Sequence, residues 1–144
     1  MNERFKLWGC VLALIIRDNK ILTILRKNKP DAGNFNLVGG RMEENETVSM
    51  AIIREIKEEI GLDATKADID VVGSVHRVCP DGWNSIEYVV TVKNIQGEPV
   101  NNEPYVCERL EWLPLDNLPE NITPYARCAI ENFINGVTFS EFNS

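Results

Sequence analysis

The sequence predicts an α+β or α/β/α chain, not a doubly wound parallel sheet, and three observations lead there. It opens on two apolar runs split by a turn dipeptide, a hairpin start with no helix between the strands. Its strands and its two helical stretches are interspersed, and no repeat, low-complexity segment or linker divides it. Its 144 residues, 44% apolar and 26% charged, suit one domain with a substantial core, expected over residues 1–144.

The elements follow in order. "WGCVLALIIR" (8–17) and "KILTILRK" (20–27) flank Asp18-Asn19, a turn signal, and predict a β-hairpin. "RKNKPDAGNFN" (26–36) is a polar loop punctuated by Pro and Gly. "LVGG" ends a short strand, and a helix is expected from about 47 to 60, with Gly61 as its left-handed stop. "VVGSVHRV" and "SIEYVVTVKN" are strands around the "CPDGWN" turn, "ERLEWLPL" is a further strand, and residues 122–135 form a closing helix.

Composition excludes several classes. With 15 Lys and Arg against 22 Asp and Glu, the net charge of -7 disfavours an extended nucleic-acid surface. Cys10, Cys79, Cys107 and Cys128 form no CxxC pair, so neither a zinc site nor a redox motif is indicated; dispersed thiols fit a reducing compartment. "CVLALII" is too short to span a membrane, and a cytoplasmic protein is expected. A homodimer is neither required nor excluded.

One helix breaks a local rule. Glu55, Glu58 and Glu59 gather near its C-terminal end, where the helix dipole favours cations. At roughly 100° per residue they fall on one arc, beside the apolar arc of Val48, Ile52, Ile56 and Ile60. A solvated acidic face is the common reading of such a segment, eased by Arg54 and Lys57. Here the acids adjoin the buried face, and a Gly-Gly strand end precedes them. That arrangement points to a hard-cation site for Mg²⁺ or Mn²⁺, with oxygen ligands from the glutamates and the unhindered Gly40 carbonyl.

The spacing goes further. Gly40, five residues, Glu46, seven residues, then "REIKEEIGL" (54–62) resembles the complete box of the Nudix family, with Ile56 and Leu62 in its aliphatic positions. Family members often carry Pro before the two glycines, where this chain has Val38. The resemblance implies an α/β/α sandwich with a mixed sheet between helices. It also implies hydrolysis of a nucleoside diphosphate linked to another group, with divalent metal. By the same resemblance, Gly40, Glu55, Glu58 and Glu59 hold metal, and Gly39 and Glu46 support the site. Arg54 orients carboxylates. The general base is a box glutamate, Glu55 or Glu58, or a loop acid, Glu103, with Glu98 as its competitor.

The segment 97–125 resembles compact MutT-like members that act on nucleoside triphosphates, which would yield a nucleoside monophosphate and pyrophosphate. ADP-ribose, nucleotide sugars and dinucleoside polyphosphates stay open, as do an RNA-end pyrophosphohydrolase and a non-catalytic nucleotide-binding module. A small nucleotide is the expected partner. Phe35, Trp83 and Tyr105 are candidates to stack on a base, though each is individually the residue type most often used in packing. His76 and Arg77 lie on opposite faces of a strand, so at most one faces a pocket, and Arg77 is carried as a substrate contact. Lys27 and Lys29 sit in a loop where solvation is the default.

Overall fold

The structure is a computed structural model that describes residues 4–143. Strands β1 (Trp8–Leu14), β2 (Ile16–Arg17), β3 (Lys20–Arg26) and β4 (Phe35–Arg41) precede helix α1 (Val48–Ile60). A 3₁₀ turn at Lys66–Asp68 leads to β5 (Ile69–Val78), β6 (Asn84–Val92) and β7 (Cys107–Pro114), then α2 (Pro124–Asn135) and β8 (Phe139–Asn143). The sheet runs β2-β3-β4-β1-β6-β5-β8, with β7 on β3. It is mixed: β1 lies parallel to β6, and β8 parallel to β5.

The opening hairpin is shorter than the sequence suggests. Asp18 and Asn19 do turn, both at positive φ (51° and 61°), but only Ile16 and Arg17 of the first run pair with β3. The rest of that run, β1, instead pairs with β4 and β6. A run apolar on both faces is satisfied best in the middle of a sheet, and that burial outweighs the local hairpin. Strand β4 then straddles two partners, Phe35–Leu37 pairing with β3 and Val38–Arg41 with β1.

Alternation divides the core between the two faces of the sheet. Val11, Ala13, Leu22, Ile24 and Val38 pack with Ala51, Ile52, Ile56 and Ile60 of α1. Leu12, Leu14, Ile21, Leu37, Val75 and Val89 pack with Ala126, Ala129 and Ile130 of α2. One helix covers each face, which is the α/β/α sandwich expected above.

The glycines at the end of β4 bring α1 close. A Cβ on Gly39 would stand 2.0 Å from the Val11 carbonyl oxygen, and one on Gly40 would stand 2.6 Å from Glu55 Oε1. Thr47 caps α1 by accepting the Met50 N–H at 3.2 Å, and Gly61 ends it at φ 71°.

Candidate functional site

Because β4 carries no side chain at 39 and 40, the last turns of α1 lie directly on it. Glu59 Oε2 accepts the Gly39 N–H at 3.0 Å, and the residue is 8% exposed. Glu55 lies beside Glu59, with its side chain 12% exposed. Burial, followed by the hydrogen bond and charge of Glu55, pushes Glu59 well above the ordinary carboxylate range. Burial raises Glu55 too, against the opposing pull of its contacts with Glu59 and Arg54. Two carboxylates in contact at so low an exposure favour a cation beside them. Glu58 is half-exposed on the same face.

Arg54 organises this acidic face. Its Nε and Nη2 donate to the two oxygens of Glu46, at 2.6 and 2.9 Å. Its Nη1 donates to Glu55 at 2.9 Å and to Glu58 at 3.3 Å, and Nη2 also reaches the Arg41 carbonyl at 3.0 Å. Every guanidinium nitrogen is engaged by protein, in a geometry suited to holding carboxylates in place. Glu46 also accepts the Glu43 N–H at 2.7 Å, closing the loop before α1.

A cleft of about 570 Å³ opens from Gly39, Gly40 and Glu59. Arg77 and Trp83 line it, and His76 does not, as alternation along β5 requires. Instead, His76 Nε2 pairs with Asn84 Oδ1 at 2.8 Å. Phe35 is a core residue, 5% exposed, and offers no face to the cleft. Its position opposite Leu25 in the β3–β4 pairing turns it toward α2. Tyr105 stays 65% exposed outside the cleft, on the loop that carries Glu103. Glu103 adds its charge to the field at Glu59, whereas Glu98 reaches toward Arg17 at 3.9 Å with its side chain 90% exposed. A second groove, of about 470 Å³ near Arg17 and Phe133, shares no lining residue with this cleft.

Sequence reasoning does not single out Arg26, Asn36, Glu87 or Tyr125, all of which line the cleft. A signal existed for Glu87: Ser85 and Glu87 are two successive polar residues on one face of an otherwise apolar strand. Both are buried. Asn36 Oδ1 accepts the Leu37 N–H at 2.8 Å, and its amide donates to the Tyr125 hydroxyl at 2.6 Å.

Among the described residues no three ligating side chains close around one point. Glu55 is engaged by Arg54, and Glu59 is turned to Gly39. The donors nevertheless fit a hard divalent ion. All are oxygens, the strand end leaves its backbone open, and the buried Glu55–Glu59 pair lacks sufficient positive charge.

A mixed sheet between two helices, with a helix-borne acidic cluster laid on a Gly-Gly strand end, defines the class. The NUDIX domain family model matches residues 7–133, and the chain belongs to that family. It is 41% identical over 108 residues to an ADP-ribose pyrophosphatase of Methanocaldococcus jannaschii, covering 74% of this chain and 62% of the relative. It is 41% identical over 61 residues to a CTP pyrophosphohydrolase of Escherichia coli, covering 42% of this chain and 45% of that protein. The chain thus spans less than two thirds of the length of either relative. A crystal structure of a MutT NUDIX hydrolase from Burkholderia pseudomallei superposes with a TM-score of 0.81 at 34% identity. It covers 88% of this chain and 97% of that one.

Proposed function

We propose that this protein hydrolyses the pyrophosphate bond of a nucleoside diphosphate-linked substrate, a nucleoside triphosphate giving a nucleoside monophosphate and pyrophosphate. One observation carries the reading: Glu59, in contact with Glu55, lines a nucleotide-sized cleft whose walls also hold Arg77 and Trp83. Mg²⁺ or Mn²⁺, held by Glu55, Glu58, Glu59 and the Gly40 carbonyl, would offset phosphate charge and acidify a bound water.

The chain's own residues supply the remainder. Water attacks an internal phosphorus, its proton passes to a carboxylate, and the bridging P–O bond breaks with its electrons leaving on pyrophosphate. Glu58 is the helix acid freest to take that proton, being half-exposed and, among the described residues, held only by the 3.3 Å contact to Arg54. Glu55 is the alternative base, and Glu103 approaches from the loop. The cleft walls hold the nucleoside in place and keep water from other approaches.

A second reading, hydrolysis of ADP-ribose, is favoured by the 41% identity to a protein of that name. Both readings require the same chemistry at the glutamates and differ only in what occupies the cleft. The deciding experiment offers nucleoside triphosphates, ADP-ribose and nucleotide sugars with Mg²⁺, with products identified. Nucleoside monophosphate with pyrophosphate supports the first reading. Orthophosphate as primary product, or full turnover in excess chelator, overturns the chemistry. Among the described residues no helix is long and apolar enough to cross a membrane.

A further inference from the structure

The cleft contains a buried ion pair that the hydrolytic chemistry does not use. Glu87 on β6 is 3% exposed, although it lines the cleft. Arg77 Nη1 and the Ser85 hydroxyl both donate to its Oε1, each at 3.0 Å. Among the described residues no hydrogen bond of comparable strength reaches Oε2; the Cys10 thiol, a weak donor, also lies against the carboxylate. Arg77 is similarly under-satisfied. Its guanidinium lies over the Tyr125 ring at 3.7 Å; among the described residues Nη2 meets only the Cys79 sulfur, and Nε is buried without a partner.

Packing alone does not account for such a pair. Apolar residues of the same volume would serve stability as well or better, because both charges are taken out of water. The pair is also wired to an aromatic wall. Trp83 donates its indole N–H to Ser85 Oγ at 3.0 Å, and its ring stacks on Trp8 at 5.7 Å between centroids. The chain Trp83–Ser85–Glu87–Arg77–Tyr125 therefore fixes a stacking surface and an edge-reading carboxylate in one rigid unit.

We propose that Glu87, held by Arg77, reads the base of the substrate by accepting a hydrogen bond from an exocyclic amino group. Amino-bearing bases are then the favoured class over their keto counterparts. The proposal rests on the nucleotide reading above. An ionised carboxylate can only accept, an amino group there can donate, and a keto oxygen in its place would face the carboxylate's lone pairs. A site built around a buried hydrogen-bonding group rejects the analogue that leaves it unpaired.

The test uses pairs that differ only by amino against keto: ATP with ITP, and CTP with UTP. In the wild-type protein the amino member of at least one pair should have kcat/KM about tenfold or more above its partner. Glu87→Gln keeps the shape and can present either a donor or an acceptor, so that ratio should fall to near one. Ratios near one in the wild type, or a ratio that survives Glu87→Gln, overturn the proposal. Should Glu87→Gln fail to fold, Ser85→Ala removes only the hydroxyl that orients the carboxylate and should lower the ratio about threefold. An unchanged ratio in that folded variant is equally decisive against it. Binding of AMP against IMP and of CMP against UMP, followed by tryptophan fluorescence, separates this idea from the hydrolytic reading. Selective binding without turnover supports the base contact while the hydrolysis proposal fails; equal binding within both pairs fails the base contact.

Discussion

Arg54 grips both oxygens of Glu46, one through Nε at 2.6 Å and one through Nη2 at 2.9 Å. The same guanidinium reaches Glu55 and Glu58 through Nη1, so one side chain ties the loop before α1 to the acidic face of the helix. Lysine cannot reproduce a planar fork. Arg54→Lys should therefore lower kcat by about tenfold or more and destabilise by about 2 kcal/mol, since the pair is largely out of water. Thermal unfolding and steady-state kinetics on the same preparation check this. Loss of stability with unchanged kcat would show that Arg54 braces the loop without positioning the carboxylates.

The same pair predicts a pH dependence. The Arg54 hydrogen bonds hold Glu46 below its ordinary value of 4.5. A carboxyl with a depressed folded value contributes stability that is present in full above the unfolded value and is lost as pH falls through the folded one. The stability gap between wild type and Glu46→Gln should thus be constant above pH 4.5 and narrow at lower pH. Denaturant titrations at several pH values measure it. A gap that widens in acid would contradict the assignment.

Glu58→Gln and Glu59→Gln should each reduce turnover by about a hundredfold or more while the fold survives. Glutamine preserves the shape but not the charge. Glu59 is 8% exposed against another carboxylate, so Glu59→Gln should melt no lower than wild type when metal is absent. A lower metal-free melting temperature would mean the acidic pair is structural.

Gly39 and Gly40 should respond differently to alanine. At Gly39 the new methyl would stand 2.0 Å from the Val11 carbonyl oxygen, a backbone atom that cannot swing aside. Gly39→Ala should destabilise by about 3 kcal/mol or more, as overpacked sites do. At Gly40 the neighbour is the Glu55 carboxylate, at 2.6 Å, the end of a flexible side chain. Gly40→Ala should fold, bind metal more weakly and lose activity. Equal melting temperatures for the two variants would refute this contrast.

The candidate site was legible where one short segment carries its residues and opaque where the fold assembles them. Glu55, Glu58, Glu59, Arg54 and Glu46 lie within 14 residues of one another, and helix geometry puts them together without knowledge of the sheet. Glu87, Arg77 and Tyr125 come from β6, β5 and α2 and meet only through strand pairing and the docking of α2 on β5. The fold shows the same division. The central strands announce themselves by apolar runs, whereas β8 alternates exposed and half-buried residues and sends Phe142 to the edge of the core. Backbone pairing to β5, the Phe142 core contact and the 2.8 Å hydrogen bond from Asn132 to Ser140 hold it, and none of them leaves a periodic trace in sequence. Phe35 shows the reverse: an aromatic beside a loop reads as a candidate to stack on a base, but its strand places it in the core.

Glu103 separates a working loop acid from a solvated one. Its backbone carbonyl accepts from Val106 and Cys107, and its amide donates to Asn101 Oδ1 at 3.1 Å, which fixes the turn around it. Next to it, the Asn102 N–H donates to the Glu59 carbonyl at 3.1 Å, so the loop is anchored to the acidic end of α1. Among the described residues the carboxylate itself is held only by the Tyr105 hydroxyl at 3.4 Å, a long contact that leaves it free to engage a ligand. A carboxylate so placed would approach the polyphosphate from the side opposite the helix acids and act chiefly on the transition state. Glu103→Gln should then lower kcat by about tenfold or more with KM and melting temperature nearly unchanged. Glu98→Gln should do nothing, because Glu98 points toward Arg17 with its side chain 90% exposed. Kinetics of both variants at saturating metal decide the matter: wild-type kcat in Glu103→Gln assigns that residue to the solvated surface and leaves proton transfer to Glu55 and Glu58.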